Sequence, residues 1–141
     1  MKNTALRKIS DKKYREKNRV KILAKKKEYR RKNPYIEARN KAHRRGIYWG
    51  LTEAEYIKIT SRKCHYCWNP LPETGGRLDR IETEKNIGYM HGNVVPCCHR
   101  CNTTRMNNFT YYEMLHIIAP RIRQIDRMRR ENAELLQFKI A

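Results

Sequence analysis

The sequence contains no run of 18 consecutive apolar residues, which excludes a membrane-spanning helix of ordinary length. Its first residues, Met1-Lys2-Asn3-Thr4, lack the apolar centre of a secretory signal. The basic segments lack a clean apolar face bearing Trp or Phe, which argues against a helix lying on a membrane. Acidic residues are scarce as well: 14 Asp and Glu stand against 33 Lys and Arg, a formal net charge of +19. With neither a leader nor an anchor in its pattern, the chain is expected in the cytoplasm, where thiols stay reduced. Its five cysteines are odd in number, whereas a disulfide framework wants an even set. Paired cysteines in such a chain are expected to bind metal.

The positive charge is uneven. Residues 1–46 hold 19 Lys and Arg against four Asp and Glu, while the remaining 95 residues carry only +4. A segment this basic points to nucleic acid rather than a membrane as its partner. Lys25, Lys26, Lys27, Arg30, Arg31, Arg44 and Arg45 are the expected phosphate contacts. One helix is expected from an N-cap at Ser10 to about Lys32, stopped by Asn33-Pro34. A second is expected over 34–45, with Gly46 just past its end. Lys13-Tyr14-Arg15-Glu16-Lys17-Asn18 resembles Glu28-Tyr29-Arg30-Arg31-Lys32-Asn33, too briefly to imply a solenoid. Thr52 and Glu55 form a capping box for a third helix, and Thr110 and Glu113 do so for a last one that meets Pro120. Past Pro120, Ile122, Ile125, Met128 and Leu135 are spaced for one helical face, a surface that could dock on the core or on a second copy in a homodimer. The expected organisation is a basic helical extension over 1–49, a metal-bound core over 50–119 and a helical tail over 120–141.

The core carries the chemistry. Cys64-His65-Tyr66-Cys67 and Cys98-His99-Arg100-Cys101 are two Cys-x-x-Cys knuckles, able to supply four thiolates to a structural Zn²⁺. Cys98 and Cys101 repeat the gap of the first knuckle, so Cys97 is left as a buried small side chain or a spare thiol. Between the knuckles, 77–81 reads as a strand, 82–88 as a turn and 89–95 as a second strand or extended segment. A helix is expected from about Asn102.

The order knuckle, strand, turn, strand, knuckle, helix is the ββα-metal arrangement, an α+β fold. Cys64-x-x-Cys67, Leu78-Asp79-Arg80-Ile81, Gly88-Tyr89, Gly92-Asn93-Val94-Val95-Pro96 and Cys98-x-x-Cys101-Asn102 together resemble the HNH endonucleases. Within that family they are most similar to the zinc-bound branch that includes phage endonuclease VII. The resemblance covers about residues 50–119. It implies a phage-encoded or homing nuclease acting in a bacterial host and hydrolysing double-stranded or branched DNA. It further implies that Asp79 and Asn102 hold a catalytic Mg²⁺ or Mn²⁺, a hard ion suited to oxygen ligands, and that Asn93 braces the loop between the strands.

One position departs from the family. The residue after the metal-binding Asp is usually the His that activates water, and here it is Arg80, which stays protonated at working pH. Glu82 or His91 could take the proton instead. Alternatively, water on the metal reacts without a side-chain base while Arg80 holds the phosphate. A third alternative is a non-catalytic zinc-stabilised nucleic-acid-binding protein with a decayed core. A ribosome-associated basic zinc protein would account for the charge but not for the placement of Asp79, Asn93 and Asn102.

Overall fold

The computed structural model describes the backbone of residues 2–72 and 77–140, with side chains over 7–72 and 78–134. Three basic helices come first: α1 (Lys2–Lys17), α2 (Arg19–Lys32) and α3 (Pro34–Arg44). Then follow α4 (Glu53–Thr60), β1 (Arg77–Arg80), β2 (Val94–Cys97) and α5 (His99–Arg105). A short α6 (Tyr111–Glu113) runs through a π turn (Met114–Ile118) into α7 (Ala119–Ile140). The fold is therefore α+β, mostly helical with one two-stranded sheet. Among the described residues no helix is long and apolar enough to cross a membrane.

The single helix expected to end at Lys32 is two helices. At Asn18 both the backbone N–H and the side-chain Nδ2 donate to the Tyr14 carbonyl, each at 3.0 Å. A side-chain amide that takes the helical acceptor competes with continuation of the helix. Asn33 does the same on the Tyr29 carbonyl, at 3.0 Å and 2.8 Å, before Pro34 opens α3.

β1 and β2 are antiparallel, pairing Arg77 with Cys97, Leu78 with Pro96, Asp79 with Val95 and Arg80 with Val94. The second strand thus lies later than the expected 89–95. Gly88 and Gly92 both have left-handed backbone, with φ of 58° and 85°, so the chain turns through this stretch. Tyr89 keeps only an isolated parallel bridge to Trp49. Helix α5 starts earlier than expected, because the Cys98 Sγ caps it by accepting the Cys101 N–H at 3.4 Å. At the C-terminal end the Thr110–Glu113 capping box is present. Of the two outcomes expected at Pro120, a kink or a division, the helix is not divided. The proline falls in the first turn of α7, directly after the widened π turn. That turn absorbs the bond that proline cannot donate and the crowding of its ring.

Two apolar clusters hold these elements. One gathers Tyr66, Val95, Cys97, Met114, Ala119 and Ile122 around the knuckles. The other joins Leu51, Tyr56 and Leu78 to Tyr35, Ala38, Trp49 and Tyr89, so the end of the basic extension is part of the core. In the tail, Ile122 is buried while Ile125 and Met128 are exposed. The side chain of Leu135 lies outside the described residues.

Candidate metal centre and hairpin site

The four knuckle cysteines converge. Cys64, Cys67, Cys98 and Cys101 place their sulfurs within 4.8 Å of one another. Cys67 and Cys98 are 3.8 Å apart. A tetrahedral ion with metal–sulfur bonds of about 2.3 Å requires sulfur pairs about 3.8 Å apart, so the donor set is compatible with zinc. The first knuckle is tied to β2 by the His65 N–H, which donates to the Pro96 carbonyl at 2.8 Å. The Cys98 N–H donates to the Cys64 Sγ at 3.4 Å, an arrangement that favours a thiolate there. Among the described residues this is the one group of three or more His, Cys, Asp or Glu donors at metal-binding distance.

The thiols are unequal. Hydrogen bonds from Cys101 and Cys97 hold the Cys64 thiol well below the ordinary range. The same bonds to Cys64, together with burial, push Cys97 and Cys101 upward. Burial pushes Cys67 up to about 11. Cys97, fully buried, also donates to the Cys98 carbonyl at 3.4 Å.

Beside the cluster, Asp79 lies in a polar network inside the fold. Its Oδ2 accepts from the Tyr66 hydroxyl at 2.6 Å and from the Arg105 Nη1 at 2.7 Å. The Arg105 guanidinium also donates to the Arg80 carbonyl, and to the Ile81 carbonyl at 3.0 Å. It sits 5.9 Å from the Tyr111 ring centroid, and Tyr111 meets His65 in a 2.8 Å hydrogen bond. Burial, reinforced by the bond to Asp79, raises the Tyr66 phenol above its usual range, so it remains a donor. Burial also lowers His65 from the usual imidazole range. The Asp79 Oδ1 takes no hydrogen bond among the described residues.

The other expected site residues occupy the hairpin and α5. The Asn93 side chain accepts from the Glu82 N–H at 2.8 Å and donates to the carbonyls of Glu82 (3.0 Å) and Gly88 (2.8 Å), tying the ends of the loop together. The Arg80 Nη1 donates within that loop to the carbonyls of Thr83 (2.7 Å) and Glu84 (3.1 Å), and its guanidinium lies 5.4 Å from the Tyr89 ring centroid. The side chains of Glu82 and His91 are exposed. His91 is near Glu55, whose carboxyl is lowered chiefly by its hydrogen bonds with Thr52 and slightly by His91. Asn102 and Arg105, three residues apart, share one face of α5. Arg105 reaches β1, while Asn102 lines a groove with Leu78 of β1, and the amide of Asn102 has no hydrogen bond among the described residues. No direct bond joins Asp79 to Asn102.

The basic residues divide. Lys25, Lys26, Lys27, Arg30 and Arg31 are exposed on α2, and Arg44 and Arg45 close α3. Arg30 and Arg44 both face Glu37, at 3.6 Å and 3.8 Å. Lys27, Arg30 and Arg31 line the same groove as Asn102. Arg105, Tyr66 and Tyr111 do not stand out in the sequence. Their one available signal is position, within a knuckle or in the helix that follows one.

No family model matches this chain, and no solved structure matches it. It is similar to the uncharacterized protein R423 of Acanthamoeba polyphaga mimivirus, 31% identical over 87 residues. The match covers 60% of this chain but 16% of the viral protein, so the chain spans under a fifth of that relative's length.

Proposed function

We propose that this protein is a metal-dependent endonuclease of the HNH type that hydrolyses DNA phosphodiester bonds. In this reading Cys64, Cys67, Cys98 and Cys101 hold a structural Zn²⁺ that fastens the hairpin to α5. The observation that carries it is the packing of α5 on β1: Arg105 bonds Asp79, and one turn earlier the Asn102 side chain makes no hydrogen bond among the described residues. The Oδ1 of Asp79 and the amide oxygen of Asn102, each without a hydrogen bond among the described residues, would be the carboxylate and amide donors to Mg²⁺ or Mn²⁺. When bound, such a cation supplies charge neutralisation at the phosphate and a more acidic water.

The chain's own residues do the rest. Asn93 holds both strand ends of the loop, and with them the backbone of Glu82. Glu82 is therefore better fixed than His91 as the group that takes a proton from water. Arg80 cannot act as a base. With Nη1 bound to the loop carbonyls, it can still turn its remaining N–H groups to a phosphate.

Nicking of supercoiled plasmid by zinc-replete protein, with and without added Mg²⁺ or Mn²⁺, tests this. Asn102→Ala is the informative variant, because the Asn102 side chain makes no hydrogen bond among the described residues. We expect wild-type nicking only with the added cation, and a loss of ~100-fold or more in the variant at unchanged melting temperature. Equal nicking by both proteins would remove Asn102 from the site. The competing reading, a non-catalytic zinc-stabilised nucleic-acid binder, draws on the engagement of the Asp79 Oδ2 by Arg105 and Tyr66. Salt-sensitive plasmid binding with no nicking would select it.

A further inference from the structure

We propose that the groove between α2–α3 and the hairpin receives one unpaired nucleotide of a nucleic-acid strand. The base would lie against Trp49 and Tyr89, and the phosphates against Lys27, Arg31 and Lys41. This rests on the nucleic-acid reading above and adds the form of the substrate: a single-stranded or locally opened segment.

The groove has a volume of about 420 Å³, within the range of pockets that bury a single small ligand. Its aromatic wall is rigid. The Trp49 and Tyr89 rings are 5.2 Å apart and tilted at 41°. The Trp49 indole N–H is held by the Leu51 carbonyl at 2.9 Å, and the Tyr35 hydroxyl bonds the same carbonyl at 3.1 Å. The backbone beneath is fixed as well: Tyr89 and Trp49 form the isolated bridge, and Gly88 sits where any Cβ would come within 2.1 Å of the Tyr48 carbonyl oxygen. The half-buried indole is thereby oriented with its N–H already satisfied and packed against the rings of Tyr35, Tyr56 and Tyr89, so its exposed part offers aromatic surface rather than a hydrogen-bond donor.

The cations are on the other wall. Of the basic residues lining the groove, Arg30 is engaged with Glu37, whereas Lys27, Arg31 and Lys41 have no ion pair among the described residues. Positive charge continues beyond the groove along α2, through Lys25 and Lys26, as a polymer's phosphates require and a lone nucleotide does not. A duplex can rest its phosphates on this rim. It cannot set a base against Trp49, because it keeps its bases stacked and offers only their edges. Asn102 lines the same groove, so a nucleotide held there lies beside the proposed cleavage site.

Tryptophan emission tests the proposal. In a Trp68→Phe protein Trp49 is the sole tryptophan, and no Mg²⁺ or Mn²⁺ is added, so binding is read apart from cleavage. We expect a 12-nucleotide oligo-dT to quench Trp49. A 12-base-pair duplex should bind, by anisotropy of a labelled strand, without that quench, and an abasic strand should quench weakly. In the otherwise native protein, Arg31→Ala with Lys41→Ala should weaken oligo-dT binding ~10-fold or more. The same pair should flatten the log-affinity against log-salt slope by ~1.4, about 0.7 for each phosphate left without its cation. The proposal is overturned if duplex or abasic strand quenches as strongly as oligo-dT, or if the double variant binds like wild type. Quenching by a protein that never nicks would sink the nuclease reading alone. Nicking of duplex with no quench by oligo-dT would sink the groove alone.

Discussion

Arg105 ties the network around Asp79 together. Its side chain is 3% exposed, and it joins Asp79 of β1 to the carbonyls of Arg80 and Ile81. Removing one member of a buried ion pair leaves the other charged and unsolvated, a cost of ~3–5 kcal/mol. Arg105→Ala should therefore lower stability by about that amount in chemical denaturation. An unchanged midpoint would show that water reaches Asp79 and replaces the guanidinium. None of this is legible in the sequence. Among 33 Lys and Arg, one arginine four residues past a cysteine carries no mark of burial. The cysteines are legible because four thiols at two equal spacings admit few other uses. Asn93 and Arg80 stand out by their place in a motif, but which backbone groups they bond depends on a loop whose path the glycines set. Likewise, the spacing of Asp79 and Asn102 singles both out without revealing that Arg105 and Tyr66 take one oxygen of the carboxylate.

Helix limits are readable where side-chain chemistry is local. Thr52 with Glu55 and Thr110 with Glu113 are reciprocal caps and occur where expected. The split between α1 and α2 is not anticipated by the pattern, although its cause is in view. The two short similar stretches each carry Tyr and, four residues on, an Asn that folds back onto the Tyr carbonyl. The second of these precedes a proline, which forbids helix at that point anyway. The first does not, so there the break depends on the amide alone. Asn18→Ala should fuse α1 and α2, with a gain in helical ellipticity at 222 nm and ~0.5 kcal/mol in favour of the continuous helix. Asn33→Ala should leave the helix content unchanged. An Asn18→Ala spectrum identical to wild type would mean that the break is set by something other than this amide. The expected second strand falls too early because apolar residues over 89–95 satisfy the pattern of a strand. Left-handed glycines at 88 and 92 decide otherwise, and a pattern of apolar residues says nothing about φ.

For the molecule as a whole, the metal centre and the larger apolar cluster are one object. Cys64, Cys67 and Cys101 are themselves among its buried members. On the zinc reading, a core of this size would depend on the ion, and a strong chelator should abolish the cooperative melting transition. Binding must also release protons. Without metal, Cys67 is pushed up to about 11 by burial, and Cys101 is raised by its bond to Cys64 and by burial. Both are protonated at neutral pH and must ionise to become ligands. Zinc affinity should therefore rise with pH, by a factor of ~10 per unit for each proton released, and fall on acidification. A competition titration between pH 6 and 7 measures the slope, and a flat response would mean that these thiols are not ligands. The break at Asn18 has a counterpart at this scale. Helix α1, 16 residues long, extends ~24 Å on the far side of that break. Laid along a duplex, that length equals ~7 base pairs at 3.4 Å each. On the nuclease reading proposed above, the length of DNA shielded by the protein would exceed the length in which it cuts, because α1 lies outside the hairpin.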